Sequence, residues 1–295
     1  MKKTIFTGVA TAIITPFKKG KVDYDSFATL IDWQIKSGIN AIVVAGTTGE
    51  SPTLTDREHK KIIEFSVEKV NGRIPVIAGT GSNNTEHAIM LTKYACKVGA
   101  DAILLVSPYY NRPTQQGLIK SYSKIADAST KPSILYNIPS RTGCNILPET
   151  VVKLAKHENI VAIKEASGNI SQITHLASLV KNKIDIYSGN DDQIVPILSI
   201  GGKGVISVIS NILPKQTINI CKLFFEDKIE ESRKLQLRYL PLINALFSET
   251  NPIPIKTALY KMGLCKNELR LPLTKMQKEN ANKLFELMKK ENLID

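Results

Sequence analysis

Cysteine is scarce: Cys96, Cys144, Cys221 and Cys265 are the only four in 295 residues, and no two form a Cys-x-x-Cys pair. That pattern fits reduced thiols in the cytoplasm better than a disulfide framework or a thiolate zinc site. The four histidines (His59, His87, His157 and His175) show no His-Glu-x-x-His or other ligand spacing, so no metal is expected. Neither a Gly-x-Gly-x-x-Gly fingerprint nor a Walker sequence occurs, and no cofactor is expected. No run of about 18 apolar residues is present, which excludes a membrane-spanning helix. Arginine is also rare, seven of the 39 basic residues, and aromatics make up only 6%. The net charge of +12 is therefore a lysine excess. It is spread along the chain, with no block beyond Lys18-Lys19-x-Lys21 and no interleaved aromatics. A solvated lysine surface accounts for it better than a nucleic-acid or membrane-surface partner. At the amino terminus, Lys2-Lys3 and the apolar stretch to Phe17 resemble a signal peptide faintly, but Gly8 and four threonines interrupt it. Val9, Ile13 and Ile14 read more easily as a buried strand ended by Pro16.

What the chain does have is a regular series of short apolar runs. They are Gly8–Ile14, Ala41–Ala45, Ile74–Ala78, Ala102–Val106, Ser133–Tyr136, Ile160–Ile163, Ile184–Tyr187 and Gly204–Val208. Their lengths and β-branched content suit strands buried on both faces, as in parallel sheets. Helical patterns fill the intervals. Phe27, Leu30, Ile31 and Ile35 share one face, Thr55-x-x-Glu58 is a capping box, Ala88, Leu91 and Ala95 repeat the theme, and Pro148 suits a first turn. Eight strand–helix units at this spacing predict a (β/α)8 TIM barrel rather than an open doubly wound sheet. After Val208 only helical patterns follow. The expected division is a barrel over 1–213 and a C-terminal α-helical appendage over 214–295.

In such a barrel the chemistry belongs at the carboxyl ends of the strands. Polar, glycine-rich corners sit there: Gly46-Thr-Thr-Gly-Glu-Ser51, Tyr109-Tyr-Asn-Arg-Pro113, Tyr136-Asn-Ile-Pro-Ser-Arg-Thr-Gly143, Lys164-Glu-Ala-Ser-Gly168 and Ser188-Gly-Asn-Asp-Asp192. Lys164 is the sharpest position. It ends an apolar strand, so its amine should face the barrel mouth with little water around it. An ordinary lysine has a pKa of about 10.4 and is almost wholly ammonium at neutral pH. Desolvation favours the neutral amine, which can attack a ketone and form a Schiff base. A strand-end lysine reaching solvent is an equal alternative on position alone. The fork of Arg141 suits a carboxylate, although a surface turn is the commoner fate. Thr47 and Thr48 offer hydroxyls and backbone N–H groups to an anion, or form only a tight turn. Tyr109, Tyr110 and Tyr136 could relay protons or simply pack. Val161-Ala-Ile-Lys164 matches the kinase strand motif, but no phosphate loop, His-Arg-Asp or Asp-Phe-Gly accompanies it.

Taken in order and spacing, these corners, with Gly8-Val-Ala-Thr-Ala12, Asn251-Pro-Ile-Pro-Ile-Lys256 and Leu271-Pro272, make the sequence resemble the dihydrodipicolinate synthase family of pyruvate-dependent class I aldolases. The resemblance covers essentially the whole chain. It implies that Lys164 forms a Schiff base with pyruvate and that the resulting enamine attacks aspartate semialdehyde, a step of diaminopimelate and lysine biosynthesis. Tyr136 would carry protons. Thr47 would link Tyr136 to Tyr110, the latter reaching in from a neighbouring subunit. Thr48, Ile206 and Gly189 would line the pyruvate site, and Arg141 would bind the carboxylate of the semialdehyde. A homo-oligomer follows, a tight dimer with a tetramer as the expected assembly. Ser51, His59, Asn83 and Tyr109 match an effector pocket for lysine, but Asp56 and His87 stand where inhibited relatives carry a histidine and a glutamate. Weak or absent inhibition by lysine is the expectation. Two alternatives remain: another aldolase of the same barrel family, such as an N-acetylneuraminate lyase or keto-sugar-acid aldolase, and a non-catalytic basic nucleic-acid binder.

Overall fold

In the computed structural model, which describes residues 2–181 and 183–295, eight parallel strands close into a barrel. They are β1 (Gly8–Ala12), β2 (Ala41–Val44), β3 (Val76–Gly79), β4 (Ala102–Val106), β5 (Ser133–Asn137), β6 (Ile160–Glu165), β7 (Asp185–Ser188) and β8 (Gly204–Ser207). Each apolar run of the sequence supplies one of them. Ring closure is through β1, which pairs with β8 on one side and β2 on the other. Because all neighbours run parallel, the carboxyl ends form a single rim.

Alternation along the strands sorts the apolar side chains into two layers. Ala10, Val43, Ile77, Leu104, Tyr136, Tyr187 and Ile206 fill the barrel itself. Val9, Ile42, Leu105, Leu135, Ile163, Ile186 and Val205 face the surrounding helices. Each fully buried aliphatic side chain contributes roughly 1.5–3 kcal/mol. The opposite end of the barrel is stoppered by Phe6, whose ring stacks on Tyr187 at 4.3 Å. The Tyr187 hydroxyl donates to the Phe6 carbonyl at 2.7 Å, so the buried phenol is satisfied.

Helices form at the four patterns read from the sequence before β8, with one departure on a buried face. α1 (Tyr24–Lys36) buries Phe27, Leu30 and Ile31, but its fourth buried side chain is Gln34 while Ile35 is only half-buried. Gln34 is tolerated inside because Thr11 donates to its Oε1 and its Nε2 donates to the Ser210 carbonyl. α2 (Asp56–Val70) opens on the complete Thr55/Glu58 capping box. α3 (Thr85–Lys97), α4 (Gln115–Asp127), the short α5 (Pro139–Thr142), α6 (Pro148–Leu154), α7 (Ile170–Val180) and α8 (Ile194–Ser199) complete the ring as far as β8. Next comes α9 (Pro214–Phe225), which packs on β1 and is therefore the barrel's eighth helix. A boundary after residue 213 thus falls between the last strand and its own helix. The helices beyond it are α10 (Ile229–Ala245), α11 (Ile253–Lys261) and α12 (Lys278–Lys290).

Candidate active site

Lys164 leaves β6 on the inward side, where strand alternation places Ala162 before it, and is 6% exposed. Its register partners are Tyr136 on β5 and Tyr187 on β7. The amine lies 4.1 Å from the centroid of the Tyr136 ring. The two tyrosines thus flank the Lys164 side chain from the neighbouring strands. Gly189 makes room for it. A Cβ there would stand 3.0 Å from Lys164 Cε and 2.7 Å from Ala166 Cβ. Ile206 lies in the same interior layer. The strand-end reading in which Lys164 reaches solvent does not apply.

The outward neighbour Glu165 is fully buried. Its carboxylate accepts from Asn137 Nδ2 at 2.7 Å and from Ser167 Oγ at 2.6 Å, while burial pushes its carboxyl above the ordinary range. Asn137 Oδ1 in turn accepts from Ile146 N–H at 2.9 Å. These bonds fix the corners after β5 and β6, and with them the bases of Tyr136 and Lys164.

Thr47 and Arg141 line one cavity of 420 Å³ at the rim, together with Ser51, His59 and Tyr109. Thr48 is buried, and its Oγ1 accepts from Asn251 Nδ2 at 2.9 Å. Arg141 Nη2 donates to the Asn251 carbonyl at 3.2 Å, leaving the rest of its fork toward the cavity mouth. His59 Nε2 donates to the Gly79 carbonyl at 2.7 Å, and burial holds the imidazole below its usual value, so it is neutral near pH 7. Asp56 and His87 line this cavity too and are paired with each other, Nε2 to Oδ1, at 3.0 Å.

Two of the sequence candidates stand apart. Tyr110 is 92% exposed at a left-handed φ of 68° and lines no part of the cavity. Asn83 is not among its lining residues either; its carbonyl accepts from Asn111 Nδ2 at 3.0 Å. Among the described residues no three His, Cys, Asp or Glu side chains gather as metal ligands.

Residues that sequence reasoning left without a role also converge here. Asp191, on the 3-10 turn after β7, is fully buried, and its Oδ2 accepts from the N–H groups of Val208 and Ile209 at 2.9 and 2.8 Å. Burial raises its carboxyl, while the nearby charge of Lys164 acts in the opposite sense. Glu50 and Lys256 form an ion pair with both side chains fully buried. The signal for Lys256 was present in the sequence, a lone cation within the apolar Ile253–Leu259 stretch.

Comparison with known proteins covers the chain from end to end. The family model described as the dihydrodipicolinate synthetase family matches residues 5–291. A 4-hydroxy-tetrahydrodipicolinate synthase of Acetivibrio thermocellus is 53% identical over 294 residues, 100% of both chains. Among solved structures, the dihydrodipicolinate synthase of Thermotoga maritima superposes with a TM-score of 0.97 at 45% identity, covering 99% of this chain and 100% of that one. The chloride-inhibited enzyme of Acinetobacter baumannii, solved in complex with pyruvate, does so at 0.96 and 43% identity, covering 99% and 100%. Barrel, rim and C-terminal helices all fall within these matches, and the chain belongs to the dihydrodipicolinate synthetase family.

Proposed function

We propose that this protein is a Schiff-base lyase condensing pyruvate with L-aspartate 4-semialdehyde to give 4-hydroxy-tetrahydrodipicolinate, in diaminopimelate and lysine biosynthesis. The observation that carries the reading is the buried Lys164 amine, 4.1 Å from the Tyr136 ring at the carboxyl end of β6. Relatives that match the chain over its whole length bear the name of this synthase. The neutral amine attacks the ketone carbon of pyruvate, and loss of water leaves the imine. Removal of a methyl proton gives the enamine, whose terminal carbon forms the new bond to the aldehyde carbon. The amino group of the semialdehyde portion then attacks the imine carbon, closes the ring and releases Lys164. One water leaves overall.

The roles of the other groups follow from chemistry. Tyr136, next to the amine, moves the protons of imine formation and of the ring closure that releases Lys164. The Thr47–Thr48 turn holds the pyruvate carboxylate through hydroxyl and N–H donors, beside Ile206 and Gly189. Arg141 holds the carboxylate of the incoming aldehyde by charge-assisted hydrogen bonds. Tyr110, so exposed in a single chain, completes the relay of a neighbouring subunit, which makes a dimer the smallest competent unit and a tetramer the assembly. Four free thiols agree with a cytoplasmic location. No described helix is long and apolar enough to cross a membrane.

Borohydride reduction in the presence of pyruvate, followed by mass mapping, tests the chemistry. The expected product is a peptide modified at Lys164; an unmodified Lys164 overturns it. Turnover of pyruvate with aspartate semialdehyde, set against cleavage of N-acetylneuraminate, separates the reading from that of the related lyases. Lysine is expected not to inhibit at sub-millimolar concentration, because Asp56 and His87 are paired with each other. Strong inhibition in that range in a steady-state assay contradicts this.

A further inference from the structure

The corner after β2 is held in an unfavourable shape. Glu50 sits at φ 54°, ψ 36°, a left-handed conformation that a glutamate adopts only when its surroundings over-determine it. Its N–H donates to the Thr47 carbonyl at 3.1 Å, so its placement sets the plane of the peptide that follows Thr47. The side chain is clamped from the far end of the chain. Lys256 Nζ, on α11, meets Glu50 Oε1 at 2.5 Å, and Arg270 N–H donates to Oε2 at 3.1 Å. Lys256 also lies 4.1 Å from the centroid of the buried Phe17 ring. The same ring takes the Arg270 guanidinium at 4.4 Å, while that guanidinium grips both oxygens of Glu58. Asn251 adds a second tether, binding Thr48 through its amide and Arg141 through its carbonyl.

A fully buried ion pair is a poor device for stability alone. Removing two charges from water costs several kcal/mol per ion, and an apolar pair of similar volume often serves as well. Here the pair lies one hydrogen bond from Thr47, and none of the chemistry so far uses it. We propose that Glu50 and Lys256 are positioning residues: their ion pair, whose cation is supplied by α11, fixes the Thr47–Thr48 turn in the geometry that receives the pyruvate carboxylate. The inference rests on the assignment of pyruvate to that turn. It makes α11 part of the working site, although it lies outside the barrel.

The test uses full-length protein. Either single substitution leaves an uncompensated buried charge and can abolish folding, so the informative variant is Glu50→Gln/Lys256→Met, which removes both charges and keeps the volume. It should fold with a melting temperature near that of the parent. At saturating pyruvate it should still be trapped by borohydride at Lys164. Its KM for pyruvate should rise at least tenfold, and kcat/KM should fall by about 100-fold, the order expected when a binding group shifts by about 1 Å. Lys256→Arg, which retains the charge, should restore most of the loss. A folded double variant with parental KM and kcat overturns the proposal, as does a loss that only tracks the folded fraction. Should the double variant not fold, Glu50→Asp decides: it keeps the charge and shortens the reach by one methylene, so a raised pyruvate KM supports the role and an unchanged one refutes it. Parent protein that is not trapped by pyruvate would instead refute the reaction itself.

Discussion

At the scale of single residues the site depends on what is absent as much as on what is present. Gly189 carries no side chain, and the Lys164 stem occupies that space. Gly189→Ala would place a methyl 2.7 Å from Ala166 Cβ and 3.0 Å from Lys164 Cε. Kinetics should show kcat/KM reduced by about 100-fold, with stability lowered by about 1–3 kcal/mol in a denaturant melt. Lys164→Met should remove the borohydride adduct altogether and cost about a thousandfold or more in kcat, as expected when a covalent nucleophile is lost. Lys164 was legible in the sequence only in company: its position at the end of an apolar strand fitted a solvent-reaching lysine equally well, and the neighbouring rim corners singled it out. Glu50 was not, although it stands in the glycine-rich corner 46–51, because its importance lies in a partner 206 residues away.

At the scale of elements, the strands and helices obeyed local rules. α2 illustrates both the rule and its extension. The capping box Thr55/Glu58 predicts its start, yet Glu58 also holds Arg270 from the C-terminal segment. The Arg270 guanidinium, together with the Thr55 N–H and hydroxyl, lowers the Glu58 carboxyl from 4.5 to about 2. A carboxyl depressed in the folded state contributes stability that is fully present above its unfolded value and is lost as pH falls through the folded one. Stability measured between pH 4.5 and pH 2 should therefore fall less steeply in Glu58→Gln than in the parent. Parallel curves would remove Glu58 from the account. What periodicity did not show was Gln34 replacing Ile35 on the buried face of α1, since only the approach of Thr11 and Ser210 makes an amide acceptable there.

At the scale of the whole molecule, the C-terminal segment is joined to the barrel rim by Asn251, Lys256 and Arg270. Assembly adds a further level. If Tyr110 serves a neighbouring subunit, Tyr110→Ala and Lys164→Met proteins are each inactive alone. Mixed and allowed to exchange subunits, they should regain activity, because each hybrid dimer carries one site with both residues intact. A mixture as inactive as its parts places Tyr110 outside the reaction.

The sequence by itself determined the eight strands, the helix starts at Thr55 and Pro148, and the rim corners, because alternation, capping and turn chemistry are properties of neighbouring residues. It also marked Lys164, Tyr136, Thr47 and Arg141 as the candidates for chemistry. Only the tertiary structure decided which distant groups meet them: Gly189 against the Lys164 stem, Asn251 between Thr48 and Arg141, and Lys256 beneath Glu50. It also assigned α9 to the barrel through its packing on β1. The physical reason is that a buried charge or hydrogen bond is stable only beside its partner, and nothing in the local pattern of either segment names that partner.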